Sequence, residues 1–478
     1  YGAADPKGGA VGTLYRVHDD ARLNHAFEVT SGVLERECAG ELRAFFARLR
    51  GKSAVEAEQD AVCVATACHA NPAESTPMEA PRVVLAIDSF KGSVSSAQAE
   101  MWVREGVLAA VPRAQVHAVP IADGGEGTLD ALRETGGFEE REVRARDPFG
   151  RGIGARYLVV SEDEAAGVGG ANVAVVESAQ VIGLDRSPRT SDAALAASSA
   201  GVGDLVLDAI AHGAQTIYMR PGWHGNHRAG WPWFLRALGA HITDGAGAEV
   251  APGLAGLAHV AHVDLGPAFE RLGKTRLIAI SDVKNPLVGR RGAVKVFGLQ
   301  KGLDPACVDM EACDGWMIQY GRMLDKACRT YRSPLFRSLA GVLGAGAAGG
   351  LGAAVLALGG VLESGVDTML DMVGFDEFAM HADLVITGEG FLDEQTVSGK
   401  APMGVARRAH RINPRMRVVA LAGGRVDDLT AVYQAGIDLV LPIERRPMSL
   451  DVAMRADETC ANLRTAGETA MRAYLLGR

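Results

Sequence analysis

Hydrophobic positions along the chain alternate between two periods. Short apolar runs of the length that buried parallel strands need occur at Val83–Ile87, Asn172–Glu177, Ala214–Met219, Leu277–Ile280, Ala382–Ile386, Val418–Ala422 and Leu439–Pro442. Ala114–Ala122 and Ala155–Val160 repeat the plan. Stretches with helical spacing lie between them, such as Gly201–His212, which stops before a glycine. This alternation predicts an α/β architecture with a mainly parallel sheet covered by helices.

Residues 1–80 follow another pattern. Val33, Leu34, Cys38, Leu42, Phe45, Phe46 and Leu49 share one helical face, and Ala54–Ala70 reads as a second, alanine-rich helix. Residues 71–81, NPAESTPMEAP, are polar and proline-rich and mark a boundary. The expectation is a helical N-terminal extension with a Pro-rich linker over 1–80. It reads equally as a remnant of another domain, a partner-binding piece or a partly disordered segment.

With 478 residues the chain has room for two or three domains. Its 49 Lys and Arg against 58 Asp and Glu give a net charge of −9 with no basic run, which argues against a nucleic-acid surface and suits an enzyme for small molecules. No apolar run free of glycine reaches membrane-spanning length, the nearest being the Ala/Gly-rich Leu339–Leu362, and no signal peptide is visible behind Tyr1. The seven cysteines are scattered and odd in number, as expected of reduced cytosolic thiols. Cys63-x4-Cys68-His69 lacks a second pair at zinc-site spacing.

Three loops that follow strands carry the candidate chemistry. Asp88-Ser89-Phe90-Lys91-Gly92-Ser93 brings a cation and hydroxyls, and Asp123-Gly124-Gly125-Glu126-Gly127-Thr128 brings two carboxylates and bare backbone N–H groups at a helix start. The third is Thr387-Gly388-Glu389-Gly390-Phe391-Leu392-Asp393, with Ser398-Gly399-Lys400 beyond it. Each alone also reads as a tight turn with a solvated acid. Together they supply the parts of phosphoryl transfer: Lys91 or Lys400 to neutralise phosphate oxygens, carboxylates for Mg²⁺ and to orient an acceptor hydroxyl, and glycines to offer N–H groups. No Walker A pattern is present.

IDSFKGS at 87–93, PIADGGEGT at 120–128, DPFGR at 147–151, SDVKNPLVGRRGA at 281–293, FGLQKG at 297–302, GAGAAGGLGAA at 344–354 and ITGEGFLDEQTVSGKAP at 386–402 resemble, in order, the signature blocks of the bacterial glycerate kinase family that includes the glycerate 2-kinases. The resemblance covers about 81–478. It implies two α/β domains, one Rossmann-like and discontinuous (81–138 plus 366–478) and a second over 139–365, with the active site in the cleft between them. It also implies ATP-dependent, Mg²⁺-requiring phosphorylation of D-glycerate to 2-phosphoglycerate in the cytoplasm. The 3-hydroxyl, or another small hydroxy acid, stays open as the acceptor. The expected partners are D-glycerate and ATP, with a homo-oligomer compatible with the chain and neither nucleic acid nor a membrane among them. Carried over by position, Lys91, Asp123, Glu126 and Asp282 are the expected catalytic residues, with Asp123 and Glu126 as the Mg²⁺ ligands. Asp88, Ser89, Ser93, Gly124, Gly125, Thr128, Asn285, Glu389, Asp393 and Lys400 are expected to bind substrate or nucleotide.

Two departures from the family stand out. After Met219 the family carries a loop of small residues and hydroxyls, whereas this chain has Arg220 to Trp233, with three tryptophans and two histidines. Indoles cannot give the close backbone approach of glycines, so an impaired relative is the second expectation. The codons for Trp223-His-Gly-Asn-His227, read one nucleotide later with C at the free positions, spell Gly-Thr-Ala-Thr-Thr, the family motif. This suggests a frame-shifted stretch between two compensating indels, although the single shift does not restore the family's aspartate. The other departure is Phe391, where the family commonly has arginine, a lost cation expected to weaken ATP or glycerate binding.

Overall fold

Val83 to Ile87 is apolar at every position because both faces of the strand it forms are covered. Val84 and Ala86 point into one core, while Val83, Leu85 and Ile87 point into another on the opposite side. The computed structural model describes residues 80–122, 128–134, 136–160, 172–183, 186–220, 233–332, 338–393 and 400–477. The expectations for the N-terminal extension, for Asp123 to Glu126 and for the tryptophan-rich loop between Arg220 and Trp233 lie outside these residues.

In chain order the strands are β1 (Arg82–Ile87), β2 (Gln115–Ala118), β3 (Phe138–Arg146), β4 (Gly152–Val160), β5 (Val173–Glu177), β6 (Thr216–Arg220), β7 (His241–Thr243), β8 (His262–Asp264), β9 (Arg276–Ile280), β10 (Val361–Glu363), β11 (Leu384–Glu389), β12 (Arg417–Ala422) and β13 (Leu439–Pro442). The helices that matter most for the site are α1 (Ser96–Ala110), α2 (Thr128–Glu134), α3 (Gly365–Met372), α4 (Ala401–Ile412) and α5 (Ala456–Leu476). One sheet has the order β13-β12-β11-β1-β2 and is parallel throughout. A second has the order β10-β9-β6-β5-β4-β3, parallel from β10 to β5 and antiparallel through β4 and β3. The antiparallel edge was not expected from the sequence. It forms because the tight turn at Asp147 to Gly150 folds β3 directly back onto β4.

Helix α1 starts at a capping box in which Ser95 and Gln98 satisfy each other's backbone N–H groups. It packs on α5 through glycines: a Cβ at Gly106 would sit 1.9 Å from the Arg464 carbonyl oxygen, and one at Gly467 2.5 Å from that of Val103. On the other face of the first sheet, α3 and α4 share a core with β1 and β11, and the same core takes in Leu158, Val175 and Ile280 of the second sheet. One apolar layer therefore fixes the two sheets against each other.

The Ser191–Ala211 stretch has the length and hydropathy of a membrane span. It is instead two helices, Ser191–Ala196 and Ala200–Ala211, interrupted between them and largely buried in the core. Among the described residues Cys307, Cys313, Cys328 and Cys460 are free thiols.

Candidate functional site

In the first sheet the chain leaves β1 toward β2 on one side, then returns to add β11, β12 and β13 on the other. The order reverses between β1 and β11, and parallel α/β sheets bind ligands beyond the strand carboxyl ends at such a reversal. The loops that emerge there are Asp88 to Val94 and Gly390 to Asp393. They touch: a Cβ at Gly390 would lie 3.7 Å from both the Lys91 amide nitrogen and the Phe90 Cα.

The first loop is a closed turn. Phe90 N–H donates to the Val94 carbonyl at 3.0 Å, Ser93 N–H donates to the Phe90 carbonyl at 2.9 Å, and Gly92 takes φ +79°, which a side chain would resist. Lys91 stands exposed at its tip. Asp88 is buried and accepts the Ser89 N–H at 2.6 Å. The Ser93 hydroxyl pairs with that of Thr459 on α5, so it braces the loop against the C-terminal helix. Beneath the loop the Ser96 hydroxyl donates to the Ile87 carbonyl and accepts from Ile121 N–H, tying the ends of β1 and β2 together.

Beyond β11 an ionic cluster forms. Lys400, the N-cap of α4, places Nζ 3.5 Å from Glu389 Oε2 and 3.2 Å from Asp393 Oδ1. Glu389 is buried, and Lys400 and Asp393 are partly covered. Thr128, fully buried, opens α2.

Asp282 and Asn285 occupy the matching end of the second sheet. Asp282 Oδ1 accepts the Ser364 hydroxyl at 3.0 Å and the Gly365 N–H at 2.9 Å, so the carboxylate caps the positive end of α3. The Asn285 side-chain amide donates to the Arg291 carbonyl at 2.9 Å, and the Asn285 main-chain carbonyl accepts the Gly346 N–H at 2.9 Å. The Gly/Ala run at 344–354 packs closely on another element. A Cβ at Gly346 would lie 2.3 Å from the Pro286 carbonyl oxygen. The N-terminal turns of α3 and α4 meet where Gly404 lies under Val366, with 2.0 Å between an added Cβ and Val366 Cγ1. Through that contact the helix capped by Asp282 abuts the helix begun by Lys400.

Three buried ionisable groups escaped the sequence reading. Arg220 and Glu177 end β6 and β5 as register partners and are both buried, and Arg220 Nη2 lies 3.5 Å from the Cβ position of Gly365, beside Asp282. A charged residue closing an otherwise apolar strand was the available signal. Glu100 on α1 accepts the Ile87 N–H at 3.1 Å, and burial, followed by the nearby Glu134 charge, pushes its carboxyl well above the usual range. Asp147, in the DPFGR turn, behaves oppositely. Burial alone would raise it, but N–H groups of Arg151 and Phe149 and the Arg151 guanidinium hold it below the ordinary value. That motif is therefore a turn-former.

A cavity of about 910 Å³ lies beside Phe138, Tyr218, Phe378 and Arg408, and none of the predicted site residues lines it. Among the described residues no three His, Cys, Asp or Glu side chains converge as a metal cage.

The glycerate kinase family model matches residues 83–475. The chain is 34% identical over 378 residues to a glycerate kinase of Halalkalibacterium halodurans, covering 79% of this chain and 94% of that one. It is 33% identical over 391 residues to the glycerate 2-kinase of Escherichia coli, covering 81% and 97%. A crystal structure of a candidate glycerate kinase 2 from Salmonella typhimurium LT2 superposes with a TM-score of 0.69 at 30% identity, covering 83% of this chain and 99% of that one.

Proposed function

The chain belongs to the glycerate kinase family, and on that premise we propose that it transfers the γ-phosphoryl group of ATP to the 2-hydroxyl of D-glycerate. The O2–Pγ bond forms as the bond from Pγ to the β,γ-bridging oxygen breaks, ADP leaves, and the hydroxyl proton passes to a carboxylate and then to water. The observation that carries this reading is the convergence of the Lys91 loop and the Glu389–Lys400–Asp393 cluster at the strand-order reversal.

In this reading Lys91, exposed and free to swing, binds the glycerate carboxylate or a phosphate oxygen. Lys400, held between two carboxylates, is a fixed cation for the transferring phosphoryl group. Asp88 and Ser89 orient the acceptor, and Glu389 and Asp393 lie on the nucleotide side. Asp282, Asn285 and Ser93 position the loops, because Asp282 Oδ1, the Asn285 side-chain NH2 and the Ser93 hydroxyl already serve backbone or hydroxyl partners. Mg²⁺ would neutralise the triphosphate. The described residues alone do not form its cage, so Asp123 and Glu126 are its proposed holders from the sequence. The cytoplasm, where ATP is held, is the expected setting.

The test is turnover of the purified full chain with ATP and D-glycerate, with and without Mg²⁺, and ³¹P NMR of the product. Formation of 2-phosphoglycerate is expected. A folded protein without turnover would favour the second reading, an impaired relative, which rests on the departure between Arg220 and Trp233. Resequencing the gene tests the proposed frame shift there, and an unambiguous read whose codons spell the family motif in no frame ends that idea.

A further inference from the structure

We infer that Phe391 is a stacking platform for the nucleobase of the phosphoryl donor, which makes it a specificity residue of the site proposed above. Phe391 lies between Glu389 and Asp393, the two carboxylates that hold Lys400, and is 51% exposed. Its ring lies flat against a glycine. A Cβ at Gly424 would lie 2.7 Å from Phe391 Cδ2 and 3.0 Å from Cε2, so the ring rests on bare backbone just past the end of β12. The preceding Gly423 is pressed as closely, with its Cβ position 2.6 Å from the Gly390 carbonyl oxygen and 3.3 Å from the Phe90 ring. Gly424 thus seats a half-exposed aromatic ring at the ligand-binding end of the sheet, and Gly423 keeps the backbone beneath it close to the Gly390 loop.

The chemistry of the two substrates selects the partner. Glycerate is small and polar and offers no flat apolar surface. The adenine of ATP is the one substrate group that can cover a phenyl ring, and it does so without geometry-specific hydrogen bonds. Where arginine at this position would bring a cation, phenylalanine brings a base-stacking surface. Its role is therefore in donor affinity and in purine preference, with the phosphates left to the lysines.

This inference rests on the kinase reading, and calorimetric titration separates the two. The probes are ADP, CDP and inorganic tripolyphosphate, against the unaltered chain, Phe391→Ala and Phe391→Trp. Base–aromatic stacking of about 1–3 kcal/mol corresponds to a roughly 5- to 150-fold weaker ADP affinity in Phe391→Ala. Tripolyphosphate affinity is expected to stay within about twofold of the unaltered chain, with the ADP-over-CDP preference shrinking and Phe391→Trp restoring ADP binding. ADP affinity unchanged in Phe391→Ala, or ADP and tripolyphosphate weakened alike, overturns the inference and leaves the kinase reading standing. An unaltered, folded chain that binds neither ADP nor tripolyphosphate overturns both.

Discussion

Replacing Lys400 with methionine removes the cation that separates two carboxylates. At 3.5 Å and an effective dielectric near 20, the gross attraction between Lys400 and Glu389 is about 5 kcal/mol. Desolvation of both ions offsets much of it, so the intact pair contributes little net stability. Breaking the pair is a different matter, because it takes a positive charge away from beside a Glu389 side chain only 8% exposed. Such losses run at about 3–5 kcal/mol. Asp393, 29% exposed, retains part of its hydration, which places Lys400→Met near the low end, about 3 kcal/mol. Adding Glu389→Gln removes the buried carboxylate charge and should recover roughly half of that loss. Turnover should not follow stability. Both variants lack the fixed cation and should lose about 10²–10³-fold in kcat. Urea unfolding at constant slope, together with the coupled kinase assay, reads both quantities. A double variant no more stable than Lys400→Met refutes the buried-charge account, and near-normal kcat in Lys400→Met removes Lys400 from the site.

Gly404→Ala would drive a methyl into Val366, costing about 1–3 kcal/mol, and Val366→Ala should rescue it in a double-mutant cycle with favourable coupling; additive losses in chemical denaturation would contradict the close approach of α3 and α4. Ala348 takes φ +49° among glycines, so Ala348→Gly should stabilise the chain by about 0.5–1 kcal/mol, and a lowered urea midpoint would speak against strain there. Glu100 has a raised folded-state pKa, so the stability it contributes is full below about pH 4.5 and falls away as pH rises toward the folded value. Glu100→Gln still accepts the Ile87 N–H and cannot ionise. Its melting temperature should match the parent at pH 4 and exceed it at pH 8, and a difference independent of pH would exclude the mechanism.

Much of the fold could be read from periodicity because buried parallel strands have no polar face to hide. β1, β5, β9 and β12 stand within about one residue of their apolar runs. The apolar run Ala114 to Ala122 outlasts its strand: only Gln115–Ala118 pairs with β1, and Val119 to Ala122 continue as loop. The antiparallel β3 was missed because FEEREVRAR, mostly solvent-facing, has no apolar run to announce it. The site divided in the same way. Residue types and their order along the chain announced phosphate chemistry, since glycines, carboxylates and lysines after strands have few other combined uses.

Division of labour among those residues was not in the sequence. Asp282 and Glu389 look alike in a motif, yet one caps a helix and the other holds a lysine. Gly346 reads as room for a ligand, yet a carbonyl of Pro286 takes that room. Arg220 and Glu177 carry no motif at all and meet only because β6 and β5 are in register. The sequence by itself determined which segments are strands, which loops follow them, and the chemical groups those loops carry, because these depend on local periodicity and residue type. The tertiary structure decided which partners the polar atoms take, because that depends on contacts between residues as far apart as Asp88 and Gly388, which no local pattern encodes.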